Sequence, residues 1–532
     1  MTILSGKTGR FSRPALRRRG RPFSNPVAAL ESLEDRLLLS SVSLAGDTLI
    51  VNGTSGVDGV WIQQAGSNIR VRISQGSQTV LVQDYAAASV HKLQLNGRAG
   101  DDRIINKTNI FGTIIGGAGD DLLFAGGGAS LVFGGAGDDL IFGGAGGDFL
   151  SGGAGNDGIL GGGGRDTLRG DAGNDRLFGQ GDKDRILGGD GNDFIRAGAG
   201  NDQIFGEAGI DRIRGEAGID RIDGGDDGDR LLGQGDADLL IGGLGDDTIV
   251  GGIGNDIMVG DNNAETVNDG LDILLGGLGD DFMVGGGGND FLGGMADNDR
   301  LFGQGGEDNV WGDDGDDTLG GGAGDDVLIN GGDGNDTLVE TADVDFVLTN
   351  TQLETIDSDD NTPLALETLE SIEAAILTGG PSDNMINAYF FIGDSVTMNG
   401  AGGNDTLGGS SGNDFLRGGD GDDSITGFAG DDNLEGGTGA DYLHAGTGND
   451  YIDGGLFAEN ETAGDGGDTI YGGDDNDRID GDNGADYVNG GTGSNDVLAR
   501  SSGGDGVSDI REAGTFDDIL GDYFSTPPWP TT

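Results

Sequence analysis

The sequence predicts an all-β protein, a solenoid of stacked nine-residue units with a small N-terminal β unit of different pattern. Three observations predict it. From Asp121 to Asp256 every ninth position is a fixed slot, and aspartate fills every slot but one, Ser130. Two residues after each slot stands an apolar residue without a miss, from Leu123 and Val132 to Ile249 and Met258. Before the slots stand glycine-rich runs such as Gly134-Gly135-Ala136-Gly137-Asp138-Asp139. A disordered acidic chain does not hold such a phase through so many units. One apolar residue in nine cannot build an ordinary core. It can build a stacked one, because the same position then recurs every ~4.8 Å along the stack.

Composition agrees and excludes other classes. The 532 residues include 116 glycines, 8 prolines and no cysteine. Few prolines and no G-X-Y period exclude collagen, and the lack of thiols excludes a disulfide scaffold. Hydrophobic residues are 34%, below the ~45–50% of an ordinary globular chain. With 94 acidic and 29 basic side chains the net charge is −65. That charge argues against nucleic acid and anionic membranes as partners and in favour of cations.

The chain divides as follows. Residues 1–40 form a basic arm of net charge +5. It has no apolar run long enough for a secretory signal, and no stretch of the chain approaches a transmembrane span. Asn25 and Pro26 read as the start of a short amphipathic helix carrying Val27, Leu30, Leu33, Leu37 and Leu38. In 41–100, Ile69, Val71 and Ile73 alternate with Arg70 and Arg72, and Leu93 and Leu95 alternate with polar neighbours. Period two predicts half-buried antiparallel strands, a cap for the open end of the solenoid. Gly53-Thr54-Ser55-Gly56-Val57-Asp58 with Val60 is an isolated repeat.

The first array, in 101–340, places slot aspartates at Asp102, Asp121, Asp139, Asp148, Asp157, Asp166, Asp175, Asp184, Asp193, Asp202, Asp211, Asp220, Asp229, Asp238, Asp247 and Asp256. It resumes at Asp272, Asp281, Asp290, Asp299, Asp308, Asp317, Asp326 and, after a one-residue slip, Asp336. Residues 341–400 break the pattern but keep inward positions at Leu377, Ile386 and Met398, continued by Leu407, and read as metal-free coils plus an excursion. A second array, in 401–500, runs Asp405, Asp414, Asp423, Asp432, Asp441, Asp450, Asp468, Asp477, Asp486 and Asp496. Residues 501–532 read as a C-terminal cap or tail. Glu265 and Val267, and Glu459 and Glu461, mark degenerate units bulged into acidic loops.

The chemistry of the repeat points to a hard cation. Glycines at positive φ let the turn bring its carbonyls inward, and aspartate adds a carboxylate oxygen. Ca²⁺ prefers 6–8 oxygen ligands of these kinds. The GGxGxDxUx pattern resembles the RTX (hemolysin-type) calcium-binding repeats over about 340 residues. The resemblance implies a parallel β-roll with two repeats per coil and Ca²⁺ between stacked turns on two edges. It makes every slot aspartate from Asp102 to Asp496 a candidate metal ligand. If n stacked slots give about n−2 sites, the arrays hold roughly 28 ions. Looser binding is expected where Gln180, Asp182 and Lys183, Asp227, Glu207 or Glu216 disturb the turn. Leu30-Glu31-Ser32-Leu33-Glu34-Asp35-Arg36-Leu37-Leu38-Leu39 resembles the LEPR-XLL-type motif of large planctomycete surface and secreted proteins. Glu34-Asp35-Arg36 departs from that motif's Glu-Pro-Arg core.

Catalysis finds little footing. His91 and His444 are the only histidines, too few for a His-rich zinc site. Gly393-Asp394-Ser395-Val396 with Asp441-Tyr442-Leu443-His444 imitates the blocks of one hydrolase family, but Asp441 and Leu443 already fill repeat positions. The expectation is a secreted or cell-surface calcium-binding protein without catalysis. The alternatives are a matrix or adhesive module binding polysaccharide, marked by an exposed aromatic or Arg row, and a secreted enzyme whose catalytic part is unrecognised.

Overall fold

The structure, a computed structural model, describes residues 40–261, 270–358, 362–455, 467–481, 486–492, 497–499 and 510–511. The expected helix at residues 25–39, Glu265, Val267, Glu459, Glu461, Asp496 and nearly all of 501–532 lie outside them.

The chain forms a β-solenoid of about 21 turns. Each nine-residue unit makes one short strand, and successive strands go alternately to two parallel sheets. Leu140–Gly144 pairs in parallel with Leu122–Gly126 before it and Gly158–Gly162 after it. Phe149–Ala154 in the other sheet pairs with Ser130–Ala136 and Thr167–Ala172. Partners are 18 residues apart, so two units make one coil.

This register aligns like with like. Leu123, Ile141, Ile159 and Leu177 form one inward column, and Val132, Leu150 and Leu168 form the facing one. All are fully buried and belong to one continuous core. A single side chain per strand suffices because its neighbours above and below are apolar too.

The turns explain the glycines. Before Asp139, Gly135 and Gly137 have φ of 124° and 126°, a region that L side chains rarely enter. A Cβ at either would strike the carbonyl of the equivalent glycine one coil back, Gly117 or Gly119. The disturbed turns keep the same handedness. Gln180, Asp182, Glu207, Glu216 and Asp227 take φ of 70–80° in place of glycine. Each carries the strain of a left-handed non-glycine residue, of order 1 kcal/mol or more.

At the N-terminus, Asp58–Ala65, Asn68–Gln75 and Gln78–Ala86 form the antiparallel meander that the period-two pattern predicts. Lys92–Ala99 differs. It pairs in parallel with Thr48–Asn52 and Phe111–Ala118, so Leu93 and Leu95 belong to a solenoid coil. Alternation is common to parallel and antiparallel strands and does not separate them. Coil stacking thus begins before residue 101. Asp58–Ala65 also pairs in parallel with Arg103–Lys107.

Within 341–400 one sheet runs on without a break, from Thr337–Thr341 through Ala374–Thr378 and Ser395–Gly402 to Phe415–Asp420. The other takes up a meander. Pro363–Glu370 joins Leu328–Asp333 in parallel and Gln352–Ile356 in antiparallel, and Asp345–Thr349 leads back to the parallel strand Met385–Phe390. Leu377, Ile386, Met398 and Leu407 are all buried.

Candidate metal-binding edges

Two edges of the solenoid carry the slot aspartates in rows. On one, Asp102, Asp121, Asp139, Asp157, Asp175, Asp193, Asp211, Asp229, Asp247, Asp272, Asp290, Asp308 and Asp326 follow one another. The main-chain N–H of each donates to Oδ1 of the next at 2.6–2.9 Å. On the other edge, Asp148, Asp166, Asp184, Asp202, Asp220, Asp238, Asp256, Asp281, Asp299, Asp317 and Asp336 do the same at 2.7–2.9 Å. The second array repeats the device through Asp405, Asp423, Asp441, Asp468 and Asp486 on one edge. Asp414, Asp432, Asp450 and Asp477 form its other row.

Every one of these carboxylates is buried. In both rows of the first array, and at Asp405, Asp423, Asp432 and Asp450, Oδ2 is buried with no donor. A buried ionised oxygen left unpaired is costly. Asp414 differs, because the Ser410 N–H and hydroxyl fill its carboxylate.

The space beside Oδ2 is kept by the inner glycine of most turns, with Ala197 before Asp202 and Ala445 before Asp450 in its place. A Cβ on Gly161 would lie 2.5 Å from Asp166 Oδ2 and 3.0 Å from the Gly179 carbonyl oxygen. One on Gly179 would lie 2.5 Å from Asp184 Oδ2 and 2.6 Å from the Ala197 carbonyl. Each turn thus holds a notch where a carboxylate oxygen and a main-chain carbonyl from the next coil converge. Among the described residues no three acidic or imidazole side chains form a metal cage. A cation on these edges therefore draws much of its shell from main-chain oxygens, a donor set that suits Ca²⁺.

Burial, with neighbouring carboxylates adding to it, pushes the slot carboxyls up. Asp121 and Asp175 rise to about 6, Asp139 and Asp157 to about 7, and Asp211, Asp247 and Asp308 to about 8. The amide of the adjoining coil pulls the other way and does not win.

Two features escaped the sequence reading, and a third goes further than the alternation that points the residue after each slot outward. Asp58 joins the first row, its N–H donating to Asp102 Oδ1 at 2.7 Å, while the Thr54 N–H and hydroxyl cap its own carboxylate. The repeat pattern at 53–60 was the available signal. Second, the residue before the slot makes a ladder of opposite sense. Asp138 N–H donates back to Asp120, Asn156 to Asp138 and Asn174 to Asn156, so each turn is tied in both directions. Third, the outer faces carry rows of side chains. Arg176, Arg185, Arg212, Arg230 and Arg300 are exposed, and Arg221 is half-buried. Arg176, Phe194, Arg212 and Arg230 form one column, with Phe178, Arg196 and Arg214 in the next. The hydrolase-like pair is not assembled, since Ser395 lies on one sheet and His444 on the other.

The nine-residue family described as RTX calcium-binding nonapeptide repeat matches the chain in blocks over residues 113–264, 266–339, 399–458 and 462–497. They cover about three-fifths of the chain. The chain belongs to the RTX repeat family. Its repeats are calcium-binding repeats, and the solenoid agrees with the β-roll that the resemblance implies. No curated protein matches the chain.

The raised carboxyls fix the pH response of the metal-free RTX roll. A carboxyl whose folded pKa lies above the unfolded value of ~4 holds its proton better when folded. The fold then binds more protons than the unfolded chain, and stability falls as pH rises. In a chelator, circular dichroism should show the most β structure near about pH 4–5 and progressive loss through about pH 6–8. Constant or increasing β content across that range would contradict the assignment.

Proposed function

We propose that the protein is an exported, non-catalytic structural protein whose solenoid folds when Ca²⁺ fills the turn notches. The slot aspartates, with the turn carbonyls, are the ligands, roughly 28 ions at full occupancy by the row arithmetic. The observation that carries this is the shared state of the rows. One carboxylate oxygen is fixed by the coil before it, and the other is buried beside a carbonyl with no donor. At submicromolar calcium, sites tuned to ~10⁻⁴–10⁻³ M are empty and the carboxylates repel one another, which keeps the chain open for export. Outside the cell, ions bind only the folded form and draw the equilibrium toward it.

The test is circular dichroism and small-angle scattering at pH 7.5, with EGTA or with about 5 mM CaCl₂, far above such site affinities. The account expects an expanded, β-poor chain in EGTA and a compact β-rich rod in calcium. A rod of equal β content in EGTA would refute it.

A second reading rests on the outer face. Arg212, Arg214 and Arg230 take part in none of the ion pairs among the described residues. Like charges on neighbouring strands are unfavourable unless an anion bridges them. Guanidinium forks suit carboxylates, and a linear polyuronate offers one on every sugar. Nucleic acid, with its dense phosphates, fits a chain of net charge −65 less well. In calcium, the R212S/R214S/R230S variant should bind immobilised polyuronate at least about tenfold more weakly, as expected for lost charge-assisted bonds. Unchanged binding would dismiss this reading.

A further inference from the structure

Not every turn is open to an ion. In an open turn the residue after the inner glycine is left-handed, as Gly135 is at φ 124° ahead of Asp139 and Gly419 at 118° ahead of Asp423. The slot carboxylate then keeps Oδ2, the oxygen beside the inner glycine, without a donor.

Three turns are built differently. Thr54, Gly380 and Ser410 hold that second position ahead of Asp58, Asn384 and Asp414, and none of the three is left-handed. Their main-chain N–H groups turn into the notch instead. Thr54 donates to Asp58 Oδ2 at 2.6 Å, Gly380 to Asn384 Oδ1 at 2.7 Å and Ser410 to Asp414 Oδ2 at 2.6 Å. Each acceptor is the oxygen that the inner glycine faces, since a Cβ on Gly53, Gly379 or Gly409 would strike it. The Thr54 and Ser410 hydroxyls add a further bond to the same carboxylates, at 2.8 and 3.0 Å. Asn384 brings no charge. A donor in the notch takes the place that a cation would fill, and it satisfies the buried oxygen locally.

All three turns stand where a row begins. Asp58 opens the first row by donating to Asp102. Asn384 N–H donates to Asp405 Oδ1 at 2.7 Å and opens one row of the second array. Asp414 opens the other by donating to Asp432, and it is tied to the coil behind through the Val396 N–H at 2.8 Å. The same parts of the solenoid are dense in apolar side chains. The N-terminal unit buries Val60, Ile62, Val71 and Ile73 on two paired strands. Between the arrays, Phe346 and Phe391 lead the fully buried side chains by size, and Leu377, Ile386 and Met398 are buried with them. A repeat unit contributes one such residue in nine.

We infer that Asp58, Asn384 and Asp414 hold no calcium, and that their closed turns let two segments of the solenoid fold without the ion, 48–75 and 374–402. Hydrogen bonds and apolar burial do there what cations do along the rows. Each segment offers a formed turn and a formed pair of sheets to the array that follows. In a stacked architecture the first coil is the hard one, because it has no neighbour to pair with. Calcium therefore extends the solenoid from two seeds. The inference rests on the calcium reading of the rows.

The test is hydrogen exchange on the full chain at pH 7.5, in EGTA and in about 5 mM CaCl₂, a concentration well above such site affinities. In EGTA, residues 58–75 and 385–402 should exchange at least about tenfold more slowly than 140–181. Exchange equally fast in all three segments would overturn the inference. The S410G variant removes the hydroxyl and completes the Gly-Gly-x-Gly-x-Asp run ahead of Asp414. It should quicken exchange at 395–402 by at least about tenfold in EGTA, and calcium should restore it. No change in EGTA would count against Ser410 as a substitute for the ion. So would a loss that calcium fails to restore, since that marks a purely structural role. Should 140–181 be equally protected in EGTA and in calcium, the parent reading fails. Should it respond to calcium while 385–402 responds in step, only the seeds fail.

Discussion

The structure depends on a single arrangement, a carboxylate whose two oxygens are treated differently. Along the rows, Oδ1 of a slot aspartate takes the main-chain N–H of the coil before it, which ties the coils at a fixed register. Oδ2 faces a notch with a carbonyl of the next coil and no donor. The first oxygen makes the stack continuous. The second makes it incomplete, because buried anions in file repel one another and are poorly solvated. A solenoid built this way is mechanically regular and electrostatically unfinished until cations arrive.

Other features follow from that constraint. The inner glycine is small because a side chain would fill the notch. The turn glycines sit at positive φ because the carbonyl of the coil behind leaves no room for a Cβ. Two of the row ends are closed by donors, from Thr54 at Asp58 and from Ser410 at Asp414. Much of the acidic composition is internal, because the row aspartates are buried. A full set of about 28 ions would bring roughly +56 of charge and leave the folded protein near neutral.

What was legible in the sequence was whatever repeats. The Asp/apolar phase gave the inward positions, the RTX resemblance implied the two edges, and Leu123, Val132 and their successors are fully buried in the order the period implies. What was not legible depends on contacts between distant segments. Asp58 reaches Asp102 across 44 residues with a meander between them. Lys92–Ala99 has the alternation of any half-buried strand, so its parallel pairing could not be read. The Arg and Phe columns needed the 18-residue register before positions such as Phe194 and Arg212 became neighbours. Phenylalanine, 21 residues against 7 Tyr and 3 Trp, supplies much of the outward aromatic surface, with Phe111, Phe133, Phe291 and Phe415 exposed. Glu340 falls in a stretch with no repeat, and only the sheet pairing places it against the Gly321 amide.

The central claim is that the ions sit between stacked turns on the two edges and nowhere else in quantity. Anomalous diffraction from crystals grown in calcium tests it directly. The account predicts two files of calcium peaks along the edges, between successive slot aspartates and about 4.8 Å apart within a file. Edges without such peaks, or ions scattered over the outer faces of the sheets, would contradict it.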